Sequence, residues 1–228
     1  MFSHHRTQGF VLKQEERGEA DKLFTVFTKD SGRLLILGKG IRKMTSKLRG
    51  GIPLFSISEI GFVLGNRKTL TDSILIKEFG NFKTDLNRLE IVSKISNILD
   101  SVIKGEEEDL KIWELLNQVF EELNKKCNDS LFYYFLWNFF AILGYGPELY
   151  SCLKCKKKLE PENLWFSKGG VVCEGCKDNS IAIDPNTIKI LREILKKDLE
   201  RFLNLKIRKD FEKDLKRISY FYLDFLVD

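Results

Sequence analysis

Four of the five cysteines form two C-x-x-C pairs, and this arrangement restricts the fold more than any other feature of the chain. The pairs are Cys152 with Cys155 and Cys173 with Cys176, with 17 residues between them. Two residues between thiols let both sulfurs of a turn point at one position, and two such turns complete the tetrahedron that Zn²⁺ prefers. The spacing predicts a structural Zn²⁺ site at about residues 150–180, since four thiolates leave no position open for substrate.

Two disulfides or unpaired buried thiols are the alternative interpretations of these pairs. No N-terminal segment combines a basic start, an apolar stretch and a small-residue cleavage site, so we expect a cytoplasmic protein, and reducing compartments disfavour disulfides. The most apolar segment, residues 131–143, falls short of the roughly 20 residues that span a bilayer. We therefore expect bound zinc and no membrane anchor.

The first 80 residues alternate between short β-rich runs and turn residues, such as Gly65-Asn66. Five strands are predicted, at residues 7–12, 22–28, 33–37, 54–64 and 69–79. Five strands in so short a segment favour a small closed barrel. Most phenylalanines of this region are expected to face its interior, because alternation along a strand sends half of the side chains inward.

After Phe79 the apolar residues recur every three or four positions, which indicates amphipathic helices. Helices are predicted over residues 86–102 and 112–123, over the aromatic segment 131–143, from Ile188 through Phe202, and over residues 211–226. The fold class predicted is α+β with two domains, a barrel at residues 1–80 and a helical domain at 81–228 into which the zinc finger is inserted.

The positive charge is concentrated in the barrel. Residues 1–80 carry 14 basic and 8 acidic side chains, whereas the remainder carries 24 and 25. Between Ser31 and Ser58 there are six basic residues and no acidic one, and Gly38, Gly40, Gly50 and Gly51 suggest a mobile backbone. Such a stretch can follow a phosphate chain without reading sequence, although a solvated loop is the simpler alternative. The candidate DNA-binding residues are Arg33, Lys39, Arg42, Lys43, Lys47 and Arg49.

Two kinds of enzyme can be set aside on sequence. The segment from Gly32 to Lys39 resembles a phosphate-binding loop but has five residues between its glycines where four are needed, and Gly40 replaces the required Ser or Thr. A zinc deaminase needs a histidine near its cysteines, and the two histidines are His4 and His5. We therefore predict a protein without catalytic activity.

Three segments resemble the RecO family of bacterial DNA repair proteins. The first runs from Gly18 to Asp21 and continues through residues 38–43 and 49–51. The second is the run Leu143-Gly144-Tyr145-Gly146-Pro147-Glu148-Leu149, directly before the first cysteine pair. The third is residues 166–176, which contain the second pair. The central helix departs from the family pattern, with Trp137-Asn138-Phe139-Phe140 where an Arg and a Glu are expected, which puts in doubt any partner contact those charges make.

The resemblance implies an OB-fold barrel followed by a helical domain, in a nucleoid-associated protein of the cytoplasm. Members of the family bind single- and double-stranded DNA, anneal complementary strands, associate with RecR, and help RecA displace single-stranded DNA-binding protein. We expect the same here. The acidic C-terminal tail of single-stranded DNA-binding protein could dock on basic helices near the C-terminus (Lys196, Lys197, Lys206, Arg208 and Lys209), although these alternate with acidic residues and also suit plain solvated faces.

A zinc-containing RNA-binding or transcription accessory protein is the competing interpretation. A basic barrel followed by a zinc ribbon suits RNA as well as DNA. The two interpretations differ in the nucleic acid that is preferred and in strand annealing, which only the first requires.

Overall fold

The N-terminal third folds into a closed five-stranded barrel in this computed structural model, which describes residues 3–160 and 162–227. Its strands are β1 (His4–Arg17), β2 (Asp21–Thr28), β3 (Gly32–Gly38), β4 (Ser56–Val63) and β5 (Thr69–Glu78). The order around the barrel is β1-β2-β3-β5-β4, antiparallel except where β3 meets β5 through Leu37 and Thr69. The predicted α+β class and OB-like barrel are confirmed.

Alternation along the strands fills the barrel with aliphatic and aromatic side chains. The core consists of Val11, Phe24, Val26, Leu34, Ile36, Ile60, Phe62 and Leu70, and Ile41 and Ile52 from the β3–β4 connection join it. Strand β1 is longer than predicted because its charged end, Lys13–Arg17, pairs with β2.

Two helices complete the first compact unit, Met1–Asn128, here called the barrel unit. They are α1 (Leu86–Val102) and α2 (Leu110–Lys125), and the carboxylates of Asp85 and Asp109 accept hydrogen bonds from their first N–H groups. Phe10 of β1 is buried against α2, with ring centroids 4.7 Å from Trp113 and 5.2 Å from Phe120. These aromatic contacts place α2 with the barrel, and both helices belong to the same compact unit. The predicted domain boundary at residue 80 stays a prediction.

A half-buried ion cluster joins α1 to the barrel. Asp100 of α1 accepts hydrogen bonds from Lys13 Nζ at 2.7 Å and from Arg33 Nε at 2.7 Å. Burial alone would raise the pKa of Asp100, but the ammonium and the guanidinium outweigh that effect and lower it. The carboxylate is therefore charged at neutral pH and holds two cations.

Asp100→Asn should lower the free energy of unfolding at pH 7 by about 1.5–3 kcal/mol, because two partly buried cations lose a charged acceptor. The pKa of Asp100 lies below its unfolded value of about 3.9, so the stabilisation is complete above that value and is lost as pH falls through the folded-state pKa. Urea unfolding between pH 3 and 7 measures both effects. Asp72→Asn, which removes a pair with the exposed Arg6, is the control and should cost under about 1 kcal/mol. Equal losses in the two variants would contradict this assignment.

The second compact unit, Asp129–Asp228, is here called the helical unit. Helix α3 (Ser130–Ile142) is buried from Leu131 to Phe140 and contacts α4 (Pro185–Leu195) and α6 (Lys209–Val227). Trp137 Nε1 donates to Ser219 Oγ at 2.9 Å, and Asn138 Nδ2 donates to the Ile194 carbonyl at 3.0 Å. These bonds fix the central helix between its neighbours.

The single helix predicted from Ile188 through Phe202 is wrong, because the chain forms two helices there. Helix α4 ends at Leu195, and a short α5 (Leu199–Leu203) follows. Lys197 has a left-handed backbone (φ 61°), and the carboxylate of Asp198 then accepts a hydrogen bond from Arg201 N at the start of α5. No helix in the described part of the chain is both long enough and apolar enough to cross a membrane.

Candidate metal centre and nucleic-acid interface

The four paired cysteines meet beside a small sheet of the helical unit. The sheet consists of β6 (Trp165–Ser167), β7 (Gly170–Val172) and β8 (Ile181–Ala182), in the order β7-β6-β8. The backbone before the first pair runs along β7, because Glu148 pairs with Gly170 and Leu153 N donates to the Val171 carbonyl at 2.8 Å. A Cβ on Gly170 would lie 2.4 Å from the Glu148 carbonyl oxygen, so only glycine permits this approach.

Each cysteine pair lies in a tight turn. In the first, Lys156 N donates to the Cys152 carbonyl at 2.9 Å, and Cys152 N donates to the Lys157 carbonyl at 2.8 Å. In the second, Cys176 N donates to the Cys173 carbonyl at 2.9 Å within a one-turn 3₁₀ helix. The backbone therefore turns back at each pair, which directs both of its sulfurs to one point.

The positions of the sulfur atoms fit a tetrahedral metal ion. All four Sγ atoms lie within 4.8 Å of one another, and those of Cys155 and Cys173 are 3.8 Å apart. Zn–S bonds of about 2.3 Å imply S–S separations of about 3.8 Å in a tetrahedron. The four-cysteine cluster predicted from the spacing is confirmed, and it could hold a metal ion.

The four thiols of this cluster do not lose their protons equally easily, because the pKa values of Cys152 and Cys176 are shifted in opposite directions. The neighbouring Cys173 side chain and burial raise the pKa of Cys176 to about 12. Burial also opposes charge on Cys152, but backbone N–H groups of Cys155, Cys173 and Lys154 outweigh it and lower the pKa of Cys152 to about 6. A bound divalent cation would stabilise the deprotonated form of all four thiols, because metal-bound thiols are held deprotonated.

The basic stretch between β3 and β4, residues 39–55, is here called the β3–β4 loop. It is anchored at several points, which differs from the mobile backbone expected from its glycines. Gly40 N donates to Asp21 Oδ1 at 2.7 Å, and Ser73 Oγ donates to the Leu48 carbonyl at 2.9 Å. A Cβ on Gly51 would lie 2.0 Å from the Ser73 carbonyl oxygen. At Gly51 the glycine permits close packing against β5.

Five of the six candidate DNA-binding residues lie on this loop and are exposed. Within the described residues no ion pair is formed by Lys39, Lys43, Lys47 and Arg49. Arg42 approaches Glu16 at 3.2 Å and donates to the Gly18 carbonyl at 3.3 Å. The loop therefore presents a group of cations with one weak acidic contact.

Arg33 lies elsewhere and has a different role in the structure. It is on β3, its side chain is 17% exposed, and its guanidinium is bound by Asp100. An arginine held by a carboxylate is less available for phosphate. The structure thus separates Arg33 from the five loop cations with which the sequence grouped it.

A second basic surface surrounds a groove of about 600 Å³ on the barrel unit. Leucines supply apolar surface there, and Leu35 and Leu64 are 42% and 39% exposed. Glu106 is the acidic residue of the lining, and it pairs with Lys68. The cations that line the groove are Arg17, Arg33, Arg67, Lys68 and Lys104. Such a groove attracts phosphates at its rim and offers nonpolar contact to exposed bases.

Sequence reasoning missed this groove because its cations come from separate segments. Arg17 ends β1, Arg67 and Lys68 lie in the β4–β5 turn, and Lys104 follows α1. One signal was available, since the Gly65-Asn66 turn is followed directly by two basic residues. The barrel phenylalanines offer no exposed ring to an unpaired base, since Phe10, Phe24, Phe27, Phe55 and Phe62 are all buried.

Two family models match nearly the whole chain. Residues 1–78 match "Recombination protein O N terminal", and residues 83–228 match "Recombination protein O C terminal". The chain belongs to the RecO family. Proteins named DNA repair protein RecO agree with this. The one from Caldanaerobacter subterraneus subsp. tengcongensis is 32% identical, over 94% of this chain and 84% of its own length.

Two further relatives named DNA repair protein RecO show the same extent of similarity. The one from Dehalococcoides mccartyi strain BAV1 is 30% identical over 92% of this chain and 85% of its own length. The one from Halalkalibacterium halodurans is 27% identical over 96% of this chain and 89% of its own length. Membership of the RecO family identifies a role in DNA repair and recombination, and the predicted resemblance is confirmed.

The departure of this RecO family member from the expected central helix has a structural basis. Trp137, Asn138, Phe139 and Phe140 are all buried, and the side chains of the first two hydrogen bond within the helical unit. This segment is part of the buried core of the helical unit.

The basic C-terminal helices of this RecO family member are partly neutralised. Lys196 pairs with Glu193 at 2.5 Å, and Arg208 pairs with Asp210 at 2.9 Å. These pairs weaken the hypothesis that the segment captures an acidic tail, because the partner would have to displace them. Lys197, Lys206 and Lys209 are exposed and form no ion pair with a described residue.

Proposed function

We propose that this RecO family member is a recombination mediator that binds single- and double-stranded DNA without sequence preference and anneals complementary strands. It acts with RecR to help load RecA onto DNA covered by single-stranded DNA-binding protein, and it catalyses no covalent reaction. Family membership supports the role in repair. The observation that carries the DNA-binding proposal is the exposed, acid-free β3–β4 loop on an OB-like barrel.

Lys39, Arg42, Lys43, Lys47 and Arg49 are proposed to hold phosphates, and the anchored backbone of their loop supports this. Their loop is anchored to β2 and β5, so binding orders less backbone than a mobile loop would require. Lysine and arginine contacts to phosphates carry no sequence information, which suits annealing of any pair of strands. Arg33 remains a weaker candidate because Asp100 holds its guanidinium.

The leucine-floored groove is proposed to take unpaired bases. OB-folds bind oligonucleotides on the face of strands 2 and 3, between the first and fourth connecting loops. Leu23 of β2, Leu35 of β3 and the β4–β5 turn line the groove in the same way. A duplex keeps its bases stacked inside, so this groove should favour single strands.

The cysteine cluster is proposed to hold one Zn²⁺ with a structural role. Four thiolates at tetrahedral separations suit zinc and leave no open coordination position. When bound, the ion would join the two cysteine turns beside the small sheet. DNA binding and strand annealing require nothing further from it.

Purified protein should anneal complementary DNA strands without nucleotide, and more slowly as salt rises, because cations on the protein replace counterions of the strands. The measurement is a fluorescence annealing assay from 20 to 300 mM salt, together with binding of matched DNA and RNA single strands. Tighter binding of RNA, without annealing of DNA, would favour the RNA-binding alternative. Failure to bind any nucleic acid at low salt would refute the proposal.

A further inference from the structure

Three consecutive lysines follow the first cysteine pair of the helical unit, in a different compact unit from the cations of the β3–β4 loop. Lys156, Lys157 and Lys158 are all exposed, and within the described residues none of them forms an ion pair. The neighbouring Lys154 approaches Asp178 only at 3.4 Å. The carboxylate of Glu148 lies near Lys156, but it accepts hydrogen bonds from Tyr150 N at 2.7 Å and Ser151 N at 3.1 Å.

The backbone under these lysines is fixed. Lys156 N donates to the Cys152 carbonyl, the Lys157 carbonyl accepts from Cys152 N, and Lys158 pairs with Ser151. Lys156 has a left-handed conformation (φ 61°), which closes the turn. The backbone from which the three lysine side chains extend therefore has a defined position that depends on the fold of the cysteine turn.

An exposed aromatic ring lies next to this turn. Tyr150 is 65% exposed and directly precedes Ser151, the residue that pairs with Lys158. The guanidinium of Arg192 lies 4.5 Å from the centroid of its ring and also donates to the Leu149 carbonyl. Arg192 thus supports the ring while most of the side chain remains accessible. Tyr150 and Lys156–Lys158 are here called the tyrosine–lysine surface.

We propose that the tyrosine–lysine surface is a second binding site for single-stranded DNA, in which the lysines contact phosphates and a base stacks on Tyr150. Lysine ammonium groups are point charges that suit separate phosphates, and an exposed aromatic ring suits any unpaired base. An acidic peptide would use the lysines but has no need of the ring. This inference rests on the proposed function.

A second site would explain how one chain can promote annealing. The five loop cations lie on the barrel unit, and the tyrosine–lysine surface lies on the helical unit. Each compact unit then carries its own site for a strand, so one molecule can bind two strands at once. Binding both strands raises the concentration of one near the other without any covalent chemistry.

The first test is photocrosslinking of the full-length, zinc-loaded protein to single-stranded DNA that contains 5-iododeoxyuridine, followed by peptide mass spectrometry. We expect a crosslinked peptide that contains Tyr150, and its loss in Tyr150→Leu. Crosslinks confined to residues 1–128 would overturn the proposal while leaving DNA binding by the barrel intact. Absence of DNA binding at low salt would instead mean that the proposed function itself has failed.

The second test compares two triple variants of the helical unit. Lys156→Gln, Lys157→Gln and Lys158→Gln together should slow annealing at least about fivefold, since phosphate contacts are lost from one of the two sites. The control replaces the exposed Lys189, Lys213 and Lys216 by Gln and should anneal at the unsubstituted rate. Zinc content and circular dichroism confirm folding. Equal rates for the two variants, or a variant impaired only in binding an aspartate-rich peptide, would overturn the proposal.

Discussion

Cys173→Ala should abolish stoichiometric zinc binding and lower the midpoint of thermal unfolding of the helical unit. Three remaining thiolates cannot complete the tetrahedron, and structural zinc contributes about 10–16 kcal/mol of apparent binding free energy in zinc-finger peptides. A loss of even about 2 kcal/mol lowers the midpoint by roughly 8–16 °C for a domain of about 100 residues. Metal analysis of protein purified under reducing, chelator-free conditions, together with calorimetry, measures both effects.

Cys127→Ala is the matched control for the cysteine substitution. Cys127 lies in the barrel unit, outside the four-cysteine cluster, so its replacement should leave one zinc per chain. If unsubstituted protein contains no stoichiometric zinc, the assignment of the metal is wrong. If Cys173→Ala loses the metal but unfolds at the original temperature, the structural role is wrong.

Replacing Arg42, Lys43 and Arg49 together by Ala should weaken binding of unrelated DNA sequences alike. Each lost phosphate contact removes about 0.7 from the slope of log K against log salt for single strands, so the slope should fall by about 2. The affinity at 50 mM salt should fall on the order of a hundredfold. Fluorescence anisotropy over a salt series measures both quantities.

The fold should survive this triple substitution. The three side chains are exposed, whereas Ile41, Ile52 and Gly51 anchor the loop. The Lys189, Lys213 and Lys216 variant serves again as the control and should bind with unchanged slope. If the loop variant binds with the original affinity and slope, the cations of the β3–β4 loop do not hold phosphates.

The features best predicted from the sequence are those that depend on residues close together along the chain. The spacing of the cysteines predicted their cluster, and alternation with turn residues predicted five strands, because both signals are local. The charged end of β1 was missed, since Lys13–Arg17 pair with β2 without forming an apolar pattern. The break between α4 and α5 was missed because apolar spacing continues through Lys197, and the left-handed backbone there has no glycine to indicate it.

Features that depend on tertiary contacts were not accessible from the sequence. Most phenylalanines of the first 80 residues were expected inside the barrel, but Phe10 packs against Trp113 and Phe120 and so places α2 in the barrel unit. The groove joins residues from separate segments, and Arg33 was grouped with the loop cations until its partner Asp100 was known. The assignment of individual residues to DNA contacts stays a prediction.

The three tryptophans of the chain are distributed so that each can report on a different region. Trp113 contacts Phe10 in the barrel unit, and Trp137 is buried in the centre of the helical unit beside Tyr222. Trp165 lies in β6 under the ammonium of Lys177, next to the second cysteine turn. Variants that keep one tryptophan therefore resolve the intrinsic fluorescence into three separate signals, so the order in which these regions lose structure becomes observable without an added dye.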